Sequence, residues 1–263
     1  MFLPLVRRKT FRWTADVPPA VAARPPSGVI LFDLDDTLYD HRFACRRALA
    51  ALRRHYPTLR RNSIAGLEQT YGSLMEKLHP LTLAGHLAPQ EARRERIRLL
   101  FAAHGESISR VEASRRAALY RSAYLHAERA VPGARAVVRE LCLRGHRVGV
   151  VTNNSVRGQR RKLVIAGIAP FVRTLVISQA VGFSKPDPRI FRIALRRVGG
   201  QPAHAVMVGD SWERDVLGAR VAGISAVWFN RGGRPRPRGA RLPELRSWTP
   251  VRVAVTTLVR ALR

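Results

Sequence analysis

The sequence has 263 residues, of which 46% are hydrophobic, and this size suits one large globular domain or a core with an inserted subdomain. No window approaches the roughly 20 apolar residues of a membrane span. The basic residues near the start follow a short apolar stretch, whereas in a secretory signal they precede a longer one. We therefore expect a soluble cytoplasmic protein with no membrane partner. The two cysteines, Cys45 and Cys142, are too few for a disulfide framework or a sulfur-rich metal site.

The formal net charge is +29, with 47 Lys and Arg residues against 18 Asp and Glu residues. An excess of this size favours a nucleic-acid partner. However, the arginines are spread over every segment, and the sequence has no zinc finger, RNA-binding signature or basic face interleaved with aromatic residues. Arginine outnumbers lysine 43 to 4, which is typical of GC-rich coding. We therefore expect no specific nucleic-acid partner.

The first half of the chain predicts one strand followed by helices. Residues 1–27 carry five prolines and no periodic pattern, and we interpret them as an N-terminal tail or an over-extended start. The stretch "GVILFD" at 28–33 is a short apolar run that ends in an acid, which predicts a buried strand. From about 41 to 128 the apolar residues recur at helical spacing with no intervening strand. Breaks between these helices are predicted at Pro57, Pro80 and Gly105.

The second half alternates between strands and helices, and Ser155 is expected to cap the helix after its first strand. The predicted strands are "HRVGVVTN", "TLVIS", "AHAVMVGD" and "ISAVWFN". The segment 231–241 is predicted to be a loop. Such alternation is typical of right-handed βαβ units. We therefore predict an α/β fold with a Rossmann-like parallel sheet of at least five strands, built from residues 28–40 and 129–263, and an inserted all-helical domain at 41–128.

The aspartates of this chain are concentrated. Seven of the eight fall in three short stretches, at 33–40, 184–188 and 208–215. In open parallel sheets, ligands bind beyond the carboxyl ends of the strands. Carboxylates, a hydroxyl, an amide and a lysine are therefore expected around one crevice, which suits metal-assisted phosphoryl transfer. The residues predicted at or shortly after strand ends are Asp33, Asp35, Thr152, Asn153, Ser178, Lys185 and Asp210.

Four motifs carry a resemblance to a known family. In order and context they resemble the four motifs of the haloacid dehalogenase-like (HAD) hydrolase superfamily, and the resemblance covers residues 29–230. The motifs are "FDLDDTL", "VVTNNS", "FSKPDPRIF" and "VGDSWERD". The helical block also resembles the cap domain that this superfamily inserts after its first core strand.

The resemblance implies a role for each matching acid. Asp33 resembles the nucleophile that attacks phosphorus to form an aspartyl-phosphate. Asp35 resembles the general acid that protonates the leaving oxygen and then activates water. Asp210 and Asp215 resemble metal ligands, together with Asp33 and the backbone carbonyl of Asp35. Hard oxygen ligands without clustered Cys or His favour Mg²⁺ over Zn²⁺.

The resemblance also implies a phosphate-binding set. Thr152 and Lys185 resemble the groups that hold the transferring phosphate, and Asn153 is expected to add a contact. Lys185 and a divalent cation would remove the repulsion between a carboxylate nucleophile and a phosphate dianion. Thr37 is either a turn residue or a bond to the phosphate loop.

The other polar residues of these stretches have structural interpretations. Asp36 and Asp40 are expected to be polar turn residues or helix N-caps. Asp187 is expected to begin a helix. The two histidines of the helical block, His79 and His86, are expected to be loop or surface residues rather than substrate ligands.

The expected function is Mg²⁺-dependent hydrolysis of a phosphomonoester through an aspartyl-phosphate. The expected partner is a small phosphorylated metabolite, such as a nucleotide, flavin mononucleotide or a sugar phosphate. Asp35 argues against halide displacement, because dehalogenases of this superfamily lack an acid at that position. The alternatives are a sugar-phosphate mutase of the same superfamily and a non-catalytic polyanion-binding protein on this scaffold. A phospho-receiver domain is disfavoured because receivers are shorter and carry no helical insertion.

The net charge predicts non-specific binding to polyanions. Such binding releases counterions and is therefore steeply salt-dependent. Binding to labelled mixed-sequence DNA should be measurable at low salt by fluorescence anisotropy. It should fade toward physiological salt, where the Debye length shortens to about 8 Å. Tight, salt-insensitive binding to one sequence but not to a scrambled control would contradict this interpretation of the charge.

Overall fold

The computed structural model describes residues 28–262, so the predicted N-terminal tail at 1–27 lies outside the described residues. Across residues 28–262, six strands form one sheet, and we find no helix with both the length and the apolar character of a membrane span. The strands are β1 (Val29–Phe32), β2 (Arg147–Thr152), β3 (Thr174–Ile177), β4 (Ala205–Gly209), β5 (Ser225–Phe229) and β6 (Glu244–Leu245). The helices are α1 (His41–His55), α2 (Pro57–Arg60), α3 (Ile64–Leu83), α4 (Pro89–Ala103), α5 (Arg110–His126), α6 (Ala134–Leu143), α7 (Val156–Ile165), α8 (Ser178–Val181), α9 (Pro188–Val198), α10 (Gly218–Val221) and α11 (Val251–Arg260).

The six strands are all parallel, in the order β3-β2-β1-β4-β5-β6. β1 lies in the interior of the sheet, where Phe32 is in register with Val150 of β2 and Val208 of β4. All four residues of β1 are buried, as expected for a parallel strand that helices cover on both faces. This arrangement confirms the predicted Rossmann-like α/β fold. Because β2 and β4 lie on opposite sides of β1, a crevice is expected at the carboxyl end of β1.

The sixth strand was not predicted from the sequence. β6 has only two residues, Glu244 and Leu245, so it has no apolar alternation that a pattern could reveal. Its pairing depends on tertiary contacts with β5. The backbone N–H of Trp228 donates to Pro243 at 3.0 Å, and that of Asn230 donates to Leu245 at 2.7 Å.

Helices α1–α5 occupy residues 41–126 as one block between β1 and α6, and we call them the helical insertion. Within it, α1 packs against α5, and α3 packs against α4. The buried residues of α1 recur at the spacing of one helical face, which explains why this arginine-rich segment folds as an amphipathic helix. They are Ala44, Cys45, Ala48, Leu49 and Leu52.

The predicted break at Pro80 is wrong, because α3 continues through Pro80 to Leu83. A proline inside a helix removes one backbone donor and crowds the preceding turn. Here the last turn keeps other bonds. The hydroxyl of Thr82 donates to the carbonyl of Leu78 at 3.1 Å, and the N–H of Ala84 donates to the carbonyl of Pro80 at 2.9 Å.

The chain enters and leaves the helical insertion along two adjacent segments. The N–H of Asp40 donates to the carbonyl of Arg129 at 3.0 Å, and the N–H of Val131 donates to the carbonyl of Leu38 at 2.9 Å. The buried Asp40 carboxylate also accepts from the guanidinium groups of Arg129, at 2.8 Å, and Arg231, at 2.9 Å. Asp40 therefore joins both ends of the insertion to the loop after β5.

The predicted helix caps have mixed outcomes. Asp187 caps α9 as predicted, because its carboxylate accepts from the N–H of Arg189 at 2.8 Å. Asp40 precedes α1 and Ser155 precedes α7, but neither side chain makes a capping bond. The first turn of α1 is instead held by Asp36. Its carboxylate accepts from the N–H of Arg42 at 2.6 Å, and its φ of 61° is a left-handed value that Asp tolerates.

Trp248 connects the C-terminal segment to the centre of the sheet. Its fully buried ring stacks on Phe229 with centroids 4.1 Å apart and meets Phe32 edge-on at 5.8 Å. Its indole N–H donates to the carbonyl of Thr37 at 2.8 Å.

Trp248→Ala should lower the free energy of unfolding by about 3–5 kcal/mol, because it leaves a cavity and an unpaired carbonyl. Urea unfolding followed by circular dichroism measures the change. Val253→Ala on α11 is the control, since that side chain is 54% exposed and should cost little. Equal stability of the two variants would contradict the packing described for Trp248.

Candidate active site

The carboxyl ends of three adjacent strands bring the predicted site residues together. Asp33 directly follows β1, Thr152 is the last residue of β2, and Asp210 directly follows β4. The N–H of Asp33 donates to the carbonyl of Val208 at 2.8 Å, so the chain stays paired with β4 up to the carboxylate. Asp33 and Thr152 are both buried.

Lys185 links two of these acids from the loop between α8 and α9. Its ammonium lies 2.5 Å from a carboxylate oxygen of Asp33 and 2.6 Å from one of Asp215. The lysine side chain is only 3% exposed. Burial acts to lower the pKa of Lys185, but the carboxylates of Asp215 and Asp33 outweigh it and raise that pKa. The lysine therefore remains a buried cation between two acids.

Asn153 holds the backbone of Lys185. Its amide nitrogen donates to the carbonyl of Lys185 at 2.9 Å, and its amide oxygen accepts from the N–H of Lys185 at 2.8 Å. The predicted contact between Asn153 and phosphate stays a prediction, and one amide hydrogen is left for it. The two hydrogen bonds show that Asn153 holds the loop that carries Lys185.

The position of Asp215 depends on a glycine. A β-carbon at Gly209, the last residue of β4, would overlap the Asp215 carboxylate, so only glycine lets that carboxylate lie over the strand end. The N–H of Ser211 donates to the same carboxylate at 3.0 Å. Residues Trp212–Leu217 form a widened π-helical turn that returns Asp215 toward the sheet.

Asp33, Asp210 and Asp215 form a cluster whose ligand oxygens lie within 4.8 Å of one another. Burial raises the pKa of Asp33 to about 6, with Lys185 acting against burial and Asp215 adding to it. Burial, followed by the charges of Asp33 and Asp215, also raises the pKa of Asp210. Asp33 and Asp215 thus share one ammonium, and the only cation near the Asp210 carboxylate among the described residues is the exposed guanidinium of Arg234 at 3.6 Å. This surplus of negative charge and the all-oxygen donor set fit a hard divalent cation such as Mg²⁺.

The carboxylate of Asp35 lies outside this cluster, and its backbone oxygen as a metal ligand stays a prediction. Both carboxylate oxygens accept from the ammonium of Lys162, at 2.6 and 2.8 Å. Gln159 donates to the same carboxylate at 3.0 Å. Burial alone would raise the pKa of Asp35, but Lys162 outweighs it and lowers that pKa to about 2.

Lys162 and Gln159 were not identified from the sequence. They lie one turn apart on α7, and Gln159 also donates to the hydroxyl of Thr152 at 2.7 Å. The available signal was that Lys162, like Lys185, is one of only four lysines in the chain. Nothing in the local sequence indicates that α7 would face Asp35, because that contact spans 127 positions of the chain.

Two further residues border the cluster. Thr37, for which the sequence left a turn or a phosphate contact open, is buried, and its hydroxyl lies 3.5 Å from a carboxylate oxygen of Asp33. Arg234, in the arginine-rich loop after β5, donates to the backbone carbonyl of Asp210 and lies 3.6 Å from its carboxylate.

Comparison with known proteins agrees with this geometry. The family model described as haloacid dehalogenase-like hydrolase matches residues 28–223. The chain belongs to the haloacid dehalogenase-like hydrolases. The resemblance inferred from the four motifs is thereby confirmed.

The relatives of this HAD-like hydrolase include two enzymes named as phosphatases. It is 47% identical over 115 residues to phosphoserine phosphatase of Thermus thermophilus, an alignment that covers 44% of this chain and 46% of that enzyme. It is 32% identical over 205 residues to glyceraldehyde 3-phosphate phosphatase of Pyrococcus abyssi, which covers 78% and 82%. The chain thus spans less than half of the first relative and most of the second.

A solved structure shows the same fold. The HAD-hydrolase YfnB of Bacillus subtilis, described as bound to magnesium, superposes with a TM-score of 0.66 and 22% identity. The superposition covers 88% of this chain and 99% of YfnB. At this identity the similarity supports the fold alone, and that fold includes the sheet whose strand ends carry the acid cluster.

Lys185→Met should lower the free energy of unfolding by about 3–5 kcal/mol, because it leaves buried carboxylates without their cation. Urea unfolding at neutral pH in excess chelator measures the change, so that no divalent cation replaces the lysine. Lys77→Met on the exposed side of α3 is the matched control. Unchanged stability of Lys185→Met relative to that control would show that the buried ion pairs are not formed.

Proposed function

We propose that this HAD-like hydrolase is a phosphatase that hydrolyses phosphomonoesters through an aspartyl-phosphate on Asp33. The observation that carries the proposal is the buried Asp33 carboxylate, 2.5 Å from the Lys185 ammonium and within the same cluster as Asp210 and Asp215. A carboxylate attacks a phosphate dianion only where positive charge screens the two anions. Lys185 supplies part of that charge.

A bound Mg²⁺, which Asp33, Asp210 and Asp215 would hold, would supply the rest by neutralising phosphate oxygens. Lys185 keeps the Asp33 carboxylate oriented, and Asn153 keeps Lys185 in place. Thr152 presents its hydroxyl from the end of β2 as a phosphate contact. These groups are fixed by the sheet and its loops, so little reorganisation is needed when phosphate binds.

In the proposed first step, an oxygen of Asp33 forms a bond to phosphorus while the bond to the leaving oxygen breaks. The leaving oxygen takes a proton from Asp35 and departs as an alcohol. This step needs the protonated form of Asp35, which Lys162 disfavours, so the contact between Lys162 and Asp35 has to loosen when substrate binds. In the second step water attacks the phosphoenzyme, gives its proton to Asp35, and releases inorganic phosphate and the Asp33 carboxylate. The ionised Asp35 that Lys162 stabilises is the form that accepts a proton in this second step.

The substrate class that the relatives support is a small phosphorylated metabolite, because the two phosphatases aligned above are named for phosphoserine and glyceraldehyde 3-phosphate. We further propose that the helical insertion acts as the cap over the site, with the core at 28–40 and 129–263 and the cap at 41–128. The cytoplasmic location and the absence of a specific nucleic-acid partner stay predictions. A sugar-phosphate mutase would differ by rearranging its substrate without releasing phosphate.

Three neighbouring substitutions test the proposed roles. Asp33→Asn should abolish the phosphoenzyme and almost all turnover, because it removes the nucleophile. Asp35→Asn should slow hydrolysis of an alkyl phosphate by about 10²–10⁴-fold, because the alkoxide must leave without a proton. The same substitution should slow formation of the phosphoenzyme from an activated aryl phosphate less than it slows hydrolysis of the alkyl phosphate. Asp36→Asn should retain most activity, since Asp36 bonds to the backbone of α1.

The measurement is release of inorganic phosphate from both substrates with Mg²⁺, together with acid trapping of the phosphoenzyme. Loss of activity in Asp36→Asn equal to that in Asp33→Asn would contradict the roles. So would an Asp35→Asn variant that hydrolyses the alkyl phosphate at the wild-type rate.

A further inference from the structure

Three arginines of the helical insertion have no carboxylate partner within ion-pair distance in the part of the chain that the structure describes. They are Arg93 and Arg96 on α4 and Arg121 on α5, and each is partly buried. Their neighbours on α4 are paired, since Arg94 contacts Glu91 at 3.0 Å and Arg98 contacts Glu95 at 2.6 Å. The absence of acids is therefore local to one face of α4 and not a property of the whole helix.

Arg93 and Arg96 lie one turn apart on α4, which packs against α5, the helix that carries Arg121. Burial, followed by the charges of Arg121 and Arg96, lowers the pKa of Arg93. The Arg96 guanidinium lies 5.5 Å from the ring centroid of Tyr71, and that ring stacks on Tyr120 at 4.9 Å. Like charges beside buried aromatic rings repel each other more strongly than they would in water. The cluster is therefore electrostatically unfavourable unless an anion binds to it.

A series of tyrosines connects the arginine cluster to the candidate active site. The ring of Tyr120 also stacks on Tyr124 at 6.4 Å, and the hydroxyl of Tyr124 lies 3.2 Å from that of Tyr39. The Lys162 ammonium that binds Asp35 lies 5.2 Å from the Tyr39 ring.

Burial first, and then the charges of Arg96 and Arg214, lower the pKa of His79, while Asp35 acts in the opposite direction. The structure places His79 within α3 rather than in a loop, and half-buried, whereas His86 is exposed after the end of α3, as predicted.

The two lysines of the candidate site are already paired. Lys185 is bound by Asp33 and Asp215, and Lys162 is bound by Asp35. These lysines are therefore not free to bind a further anionic group, whereas Arg93, Arg96 and Arg121 of the insertion have no carboxylate partner in the described residues. A guanidinium fork matches the geometry of a carboxylate or a phosphate and binds either one through paired hydrogen bonds.

We propose that Arg96, together with Arg93 and Arg121, forms a second anion site. It binds a second anionic group, either a carboxylate or a second phosphate, of a phosphomonoester whose phosphoryl group lies at Asp33. This inference rests on the proposed phosphatase function and narrows its substrates to phosphomonoesters with two anionic groups.

The test uses phosphonates that the enzyme cannot hydrolyse. Propylphosphonate carries one anionic group, 3-phosphonopropionate adds a carboxylate, and propane-1,3-bisphosphonate adds a second phosphonate. Their inhibition constants against an aryl phosphate are measured with Mg²⁺, and the series is repeated with spacers one carbon shorter and longer. The readout is the ratio of the inhibition constant of the singly anionic ligand to that of each doubly anionic ligand.

In the wild type this ratio should be about 10 to 100 for at least one spacer, the range expected for a hydrogen-bonded charged group. Arg96→Gln should reduce the ratio at least tenfold, and Arg93→Gln should also reduce it, which provides a second variant if the first folds poorly. Arg98→Gln removes the same charge from the exposed side of α4 and should leave the ratio unchanged. The carboxylate and bisphosphonate arms show which anion the site prefers.

A ratio near one at every spacer length in the wild type would overturn the inference. An equal fall in the ratio for Arg96→Gln and Arg98→Gln would also overturn it, because the effect would then be long-range charge rather than a site. Turnover of the aryl phosphate separates the two proposals. If turnover is present and the selectivity is absent, only the second anion site fails, and if turnover is absent, the phosphatase function fails.

Discussion

The buried contact of the Lys185 ammonium with Asp33 and Asp215 is the interaction on which the candidate site depends. Removing two carboxylates from water is costly, and one lysine offsets that cost only if it lies between them. Asp210 adds a third carboxylate that the lysine does not contact directly. The resulting surplus of negative charge is the physical reason to expect a divalent cation at this edge of the sheet.

The same contact explains several otherwise separate features of the fold. Gly209 is required because Asp215 lies directly over the end of β4. The side-chain amide of Asn153 forms hydrogen bonds through both its nitrogen and its oxygen to the backbone of Lys185. Helix α7 then connects the site to the insertion, since Lys162 binds Asp35 while the adjacent Arg161 contacts Glu128 at 2.5 Å, close to the point where the insertion ends.

The fold and the position of Asp33 and Asp210 at the strand ends could be predicted from the sequence because both depend on local signals. Short apolar runs that end in acids marked the strands, and helical spacing marked the insertion. The features that were missed depend on long-range contacts. β6 exists only through its pairing with β5, α3 continues through Pro80, and Lys162 reaches Asp35 across the fold. Asp40 lies at the expected helix start, yet it pairs with two arginines that no local pattern connects to it.

Calorimetric titration with Mg²⁺ tests the central claim most directly. The wild type should bind one Mg²⁺ per chain, and Asp210→Asn should bind it far more weakly, because the substitution removes one of three converging carboxylates. Asp187→Asn, which removes a partly exposed carboxylate that caps α9 outside the acid cluster, should bind Mg²⁺ like the wild type. If Asp210→Asn binds as tightly as the wild type, or the wild type binds no Mg²⁺, the acid cluster is not the metal site that the charge balance predicts.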